Sequence, residues 1–291
     1  MPSKKLNILY LIPMIFGISL FYSIYVNFKK DNFSKVKIEM PEEYKSLKTI
    51  LERLAKYNYL GNETIYFSIN SGNYANWLAE EIDICDQGDC TFFKGLNPFK
   101  KQLGEKQHEK NEIVRQSYLL GNIEASASPN NNIFISRASF KVIDKRKDVL
   151  AFIVAHELSH ILDDSSFVNS LQESKEGFNL NKKKRELLYY EISRNSEMDA
   201  DKKACLILFN ANYPLKTCTE SIKFVYKESG DGQETKKDST HPGFIERIDS
   251  IDQYEKDLSI KMKNEQTFDI GSISYDPEMN FIKYEPKKIE G

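Results

Sequence analysis

Residues 151–164 read AFIVAHELSHILDD, the one stretch that pairs a long apolar run with two histidines and a glutamate. The segment is apolar up to His156. It then carries His156, Glu157 and His160 as His-Glu-x-x-His. On an α-helix, side chains four residues apart stack on one face. His156 and His160 can therefore reach one metal ion together. Glu157 projects about 100° further round the helix, close enough to hold a water beside that ion without ligating it. This pattern on a helix carries the chemistry of metal-assisted peptide hydrolysis. Val149, Leu150, Ile153 and Val154 give the helix a face to bury, which a solvated helix with chance histidines would lack.

A catalytic zinc takes three protein ligands and keeps one position open. The third candidate lies in RNSEMDADKKA, residues 194–204, where Glu197 and Asp201 are again four apart. An isolated carboxylate pair at that spacing is usually a solvated helix face. Here a third ligand is already required, and Glu197 can supply it. Asp201 can then orient a ligand histidine through its other ring nitrogen. A further segment, STHPGFIERID at 239–249, holds His241 and Arg247. The chain has four histidines, and His108, in EKQHEKNE, reads as a surface residue.

These segments together resemble the three ordered motifs of a zinc metallopeptidase family of the gluzincin type. It is the HtpX-like and CAAX prenyl endopeptidase family, and the single-span envelope quality-control members are the most similar. The matching residues are His-Glu-x-x-His at 156–160, Glu-x-x-Ala-Asp at 197–201 and Thr-His-Pro-x-x-x-x-Arg-Ile at 240–248. The resemblance covers about residues 120–248. It implies one Zn²⁺ per chain on His156, His160 and Glu197, with Glu157 as general base. It makes Asp201 and Arg247 supports of the site, and His241 a stabiliser of the oxyanion or a gate. The family also has a Pro-Gly-Gly-like turn before an edge strand beside the active-site helix. The corresponding stretch here is EASASPNNNIFIS, with Pro129 kept and Asn130 and Asn131 in place of glycines. Asparagine tolerates left-handed backbone angles. The strand expected to receive an extended substrate is Asn132, Ile133, Phe134, Ile135 and Ser136.

The resemblance implies an α+β fold: a mainly helical zincin-type domain, with a small β-sheet next to the active-site helix. The expected substrates are unfolded or misfolded protein segments of the membrane or envelope. An envelope chaperone or assembly factor that uses the same fold mainly to bind is the alternative. The intact Glu157 argues against it.

The composition sharpens this. Lys plus Arg is 41 and Asp plus Glu is 43 in 291 residues, too balanced for a protein built to grip a nucleic-acid backbone. The mean hydropathy of -0.53 hides an extreme N-terminus. Leu6 to Phe28 carry no charge, with Lys4 and Lys5 before and Lys29 and Lys30 after. Twenty-three residues make a helix of about 35 Å, enough to cross a hydrocarbon core of about 30 Å. The run is long for a cleaved signal peptide and no Ala-x-Ala follows it. We read it as a single membrane span with the catalytic body extracytoplasmic, facing a bacterial periplasm; secretion after cleavage is the alternative. Lysines on both flanks leave the positive-inside rule undecided. Beyond residue 30 remain 37 basic and 43 acidic residues, a mildly acidic body.

Four regions follow: an anchor at 1–30, a linker and leading part of the body at 31–120, the metallopeptidase core at 121–262 and a tail at 263–291. Helices are expected at 42–57, around YANWLAEEI, at 144–162, 186–210 and 243–262, and strands in ETIYFSI, IEASAS and IFISRASFKVI. The tail shows no readable chemistry. Lys183, Lys184 and Arg185 read as a solvated helix start rather than a nucleic-acid patch. Four cysteines are too few for a disulfide scaffold. Cys85 and Cys90 flank a Gly-containing turn and suit a local disulfide outside the cytosol. Cys205 reads as buried packing, and Cys218 is left open. Oligomeric state is not legible.

Overall fold

In the computed structural model, which describes residues 40–70, 72–85, 113, 123–143, 146–229, 232–261 and 266–287, helix α1 (Glu42–Tyr57) comes first. It buries Tyr44, Leu47, Ile50, Leu51 and Leu54, the helical spacing read from sequence. Strand β1 (Ile65–Asn70) follows with alternating burial, then α2 (Gly72–Glu81). Strands β2 (Ala125–Ser128) and β3 (Asn132–Ser136) form a hairpin. Its turn holds Asn131 at φ 56°, the left-handed angle that asparagine accommodates.

The strand expected to run to residue 143 stops at Ser136. The Ser136 Oγ accepts a hydrogen bond from the Ser139 N–H at 3.2 Å, an N-cap that starts helix α3 (Arg137–Ile143) instead. Helix α4 (Lys147–Leu162) carries His156, Glu157 and His160, and is buried continuously from Val149 to Ser159. Helix α5 (Ser165–Glu176) was not anticipated, because it buries none of its residues. Helix α6 (Lys182–Asn210) begins earlier than expected, since Asn181 accepts a hydrogen bond from the Lys184 N–H at 3.0 Å. Helix α7 (Thr217–Ser229) has Thr219 N–H and Oγ1 bound by buried Glu255 of helix α8 (Phe244–Ile260). Strands β4 (Ser272–Asp276) and β5 (Phe281–Glu285) close the chain's described part.

The five strands form one sheet in the order β2-β3-β1-β5-β4. β3 runs parallel to β1 and antiparallel to β2, and β5 pairs antiparallel with both β1 and β4. The tail thus supplies two strands. Pro41–Gly291 is one compact unit, so β1, β4 and β5 share a body with the motif-bearing helices. The fold is α+β with a small mixed sheet. α4 packs against α6, α7 and β2, which places its histidines between a helical layer and the edge of the sheet.

Two corrections concern cysteines and strand edges. Cys205 is buried, but it is not only packing: it forms a disulfide with Cys218, joining α6 to the start of α7. A loop of that size is worth about 3 kcal/mol in the chain-entropy account. Cys85 is disulfide-bonded, and Cys90 lies outside the described residues. The second correction is that Asn132–Ser136 cannot receive a substrate strand. β3 is hydrogen-bonded on both sides, and Ile133 and Ile135 are fully buried. No helix among the described residues is long and apolar enough to cross a membrane, and the run at 6–28 lies outside them.

Candidate metal centre

Two helices build the site. α4 presents His156 and His160 one turn apart, and α6 crosses it with Glu197 opposite them. The Nε2 atoms of the two histidines are 3.2 Å apart. Glu197 Oε2 is 3.3 Å from His156 Nε2, and Oε1 is 3.3 Å from His160 Nε2. For metal–ligand bonds of about 2.0–2.2 Å, the edges of a tetrahedral donor set are about 3.3–3.6 Å. The three donors therefore converge at the separation that one small divalent cation requires. Among the described residues they form a group that could hold a metal ion.

The surroundings fix these donors. His156 Nδ1 lies 2.9 Å from Asp201 Oδ1, which leaves its Nε2 aimed at the centre. Asp201 is almost completely buried, and Arg247 of α8 donates to both of its oxygens, from Nε at 2.7 Å and from Nη2 at 2.5 Å. Burial works against the Asp201 charge, but Arg247 and His156 outweigh it and hold the carboxyl below its ordinary range. Arg247 is itself held protonated: the Asp201 carboxylate overcomes the cost of its burial. His160 Nδ1 faces Ser165 Oγ of α5 at 3.4 Å.

The cluster's own charges are strongly linked. Burial would lower the His156 imidazole, yet Asp201 and Glu197 raise it to about 10. Burial would raise Glu197, yet hydrogen bonds from both histidines keep it well below the usual carboxylate range. A metal ion bound here would take the place of the proton that Asp201 and Glu197 hold on His156. Glu157 behaves differently. Burial pushes its carboxyl up, and only part of that is offset by His156, His160 and the Ala127 backbone N–H. A carboxyl raised by desolvation beside a cation site is suited to taking and returning a proton.

The centre opens into a cleft of about 620 Å³. Ile123–Ala127 line one side, so the open edge of β2 borders the cleft. This is the strand edge that the sequence reading placed at 132–136. His241 also lines the cleft. It is 65% exposed, with Nε2 3.8 Å from Glu197 Oε2 and Nδ1 2.9 Å from Thr240 Oγ1. It stands beside the donor set rather than within it.

Sequence reading missed Arg194. Its Nη1 donates to the carbonyls of Lys236, Lys237 and Ser239 at 3.3, 3.1 and 2.8 Å. It thereby holds the loop that carries His241 against α6, three residues before Glu197. Tyr226 holds the other end, its hydroxyl donating to the Pro242 carbonyl at 2.8 Å. No local pattern marks Arg194, because its acceptors lie 42–45 residues away. Arg194→Ala is expected to free the loop at 236–241, speeding its amide hydrogen exchange about ten-fold or more, with metal affinity unchanged. Weakened metal binding in this variant would place Arg194 in the support of the ligands instead.

The chain matches no protein-family model, no curated protein and no solved structure.

Proposed function

We propose that the protein is a membrane-anchored zinc metalloendopeptidase that cuts extended segments of unfolded or misfolded envelope proteins. The convergence of His156, His160 and Glu197 at tetrahedral edge lengths, with Glu157 beside them, is the observation that carries this reading. The three motifs of the resemblance supply the same residues in the same roles. The Cys205–Cys218 disulfide supports a body outside the cytosol.

The residues divide the work. His156, His160 and Glu197 would hold the ion. When bound, zinc supplies Lewis acidity, making a water nucleophilic near neutral pH and polarising a carbonyl. The open edge of β2 takes an extended peptide as an added strand, so backbone hydrogen bonds provide much of the affinity. Such binding favours unfolded segments over one tight sequence. Glu157 removes the proton of the attacking water and passes it to the leaving amine. His241, hydrogen-bonded through Nδ1 to Thr240, donates from Nε2 to the developing oxyanion. Asp201 and Arg247 keep the His156 imidazole in the orientation the ion needs.

The full-length protein purified without chelator should carry one zinc per chain by elemental analysis. It should cleave casein, lose that activity to 1,10-phenanthroline and regain it with added zinc. Cleavage that persists in fully demetallated protein would overturn the assignment.

A further inference from the structure

The surface next to the cleft has an unusual make-up. On α5, which buries none of its residues, Phe167 is 62% exposed and Leu171 58%. In the connector between α5 and α6, Phe178 is 83% exposed, and Leu180 is also open. Around this connector the sequence places Lys175 on one side and Lys182, Lys183 and Lys184 on the other. All four lysines are exposed, and none has an ion-pair partner among the described residues. Arg185 alone is used internally, pairing with Glu173 at 2.8 Å and fastening the two helices together. The hairpin thus presents large apolar side chains beside four exposed lysines, with Glu176 and Glu186 as the exposed acidic residues among them.

We propose that this α5–α6 hairpin docks on the surface of an anionic lipid bilayer. Phe178, Leu180, Leu171 and Phe167 enter the boundary between headgroups and acyl chains, and the lysines lie on the lipid phosphates. A partly inserted apolar face with a basic rim is the composition such a surface binds. Each lysine near anionic headgroups is worth about a five-fold gain in affinity. Charge complementarity chooses lipid over an apolar protein partner, because the four lysines outnumber the exposed Glu176 and Glu186 and an apolar partner would supply no counter-charge. The chain's own length agrees. The uncharged run ends at Phe28 and the compact unit begins at Pro41, so the residues between span at most about 45 Å. If residues 6–28 cross a membrane, as proposed above, a tether of that length keeps the body within reach of the bilayer. Ser165 and Asn169 of α5 line the cleft, so docking would bring its mouth to the membrane surface. The proposal rests on the membrane-anchor reading but not on the protease chemistry, because the docking segment, residues 165–187, includes none of the metal ligands.

The test uses full-length protein in nanodiscs, with amide hydrogen exchange read over residues 165–187. Discs of phosphatidylcholine with phosphatidylglycerol should slow exchange in this segment at least about ten-fold relative to discs of phosphatidylcholine alone. The triple variant Lys182→Glu, Lys183→Glu, Lys184→Glu should abolish the difference, as should Phe178→Ser, while both keep wild-type zinc content and casein cleavage. Equal exchange in the two discs overturns the proposal. So does protection that rises with protein concentration in lipid-free detergent, which would mean that a second copy covers the hairpin. Because the readout is protection and not hydrolysis, failure of the protease reading would leave this result standing on its own.

Discussion

Glu157→Gln should retain one zinc per chain and lose peptide hydrolysis by about 10²–10⁴-fold, the usual worth of a positioned acid–base group. That loss corresponds to about 2.7–5.5 kcal/mol of transition-state stabilisation. The substitution keeps the side-chain volume, so buried α4 should pack as before. It also leaves His156, His160 and Glu197 untouched. What it removes is a carboxylate able to accept a proton. Burial raises this carboxyl, and the neighbouring histidines pull it back only in part. A glutamine in the same place can still accept a hydrogen bond from the Ala127 N–H, but it cannot carry a proton between water and amine. Elemental analysis alongside kcat on one peptide separates the two properties. Wild-type turnover in this variant would remove Glu157 from the mechanism.

Glu197→Ala should weaken zinc binding by more than about 100-fold, since loss of a mere supporting partner already costs about 10–100-fold. In the wild type the Glu197 oxygens sit 3.3 Å from both histidine nitrogens, and no other described carboxylate or thiolate joins that group. His241 stands nearby but outside the cluster. Competition with a chromophoric chelator measures the change. Unchanged affinity would show that the third ligand lies elsewhere. The same titration has a predictable pH dependence. His156 is held protonated to about 10 by Asp201 and Glu197, so binding must displace that proton. Affinity should therefore fall as pH falls, about ten-fold per unit while one proton is displaced. In Glu197→Ala one of the two carboxylates that raise His156 is gone, and the affinity should level off at a lower pH.

Much of the site is legible because its geometry is local. His156 and His160 stack by helical periodicity alone, and Val149–Ser159 identify the helix as buried before any partner is known. Glu197 and Asp201 follow from the same spacing on a second helix. Asn131 occupies a left-handed position, as its residue type allows. Local signals failed where two of them competed. IFISRASFKVI alternates like a strand to its end, but the Ser136 hydroxyl caps a helix within it. Helix α5 escaped notice because it has no buried face to give it a strong period.

By itself, the sequence determined which residues can meet one turn apart, which helix is apolar enough to sit at the centre, and hence a metal-binding chemistry. The tertiary structure decided which strand edge is open. β3 is covered on its far side by β1, whose residues lie more than sixty positions earlier, and β2 is left bordering the cleft. It also decided that Arg194 holds the His241 loop, that Cys205 finds Cys218, and that Arg247 reaches Asp201 across forty-six positions. The physical reason is common to all of these. A helix turn is fixed by bonds between near neighbours, whereas a strand edge, an ion pair between helices and a disulfide depend on which distant segments pack together.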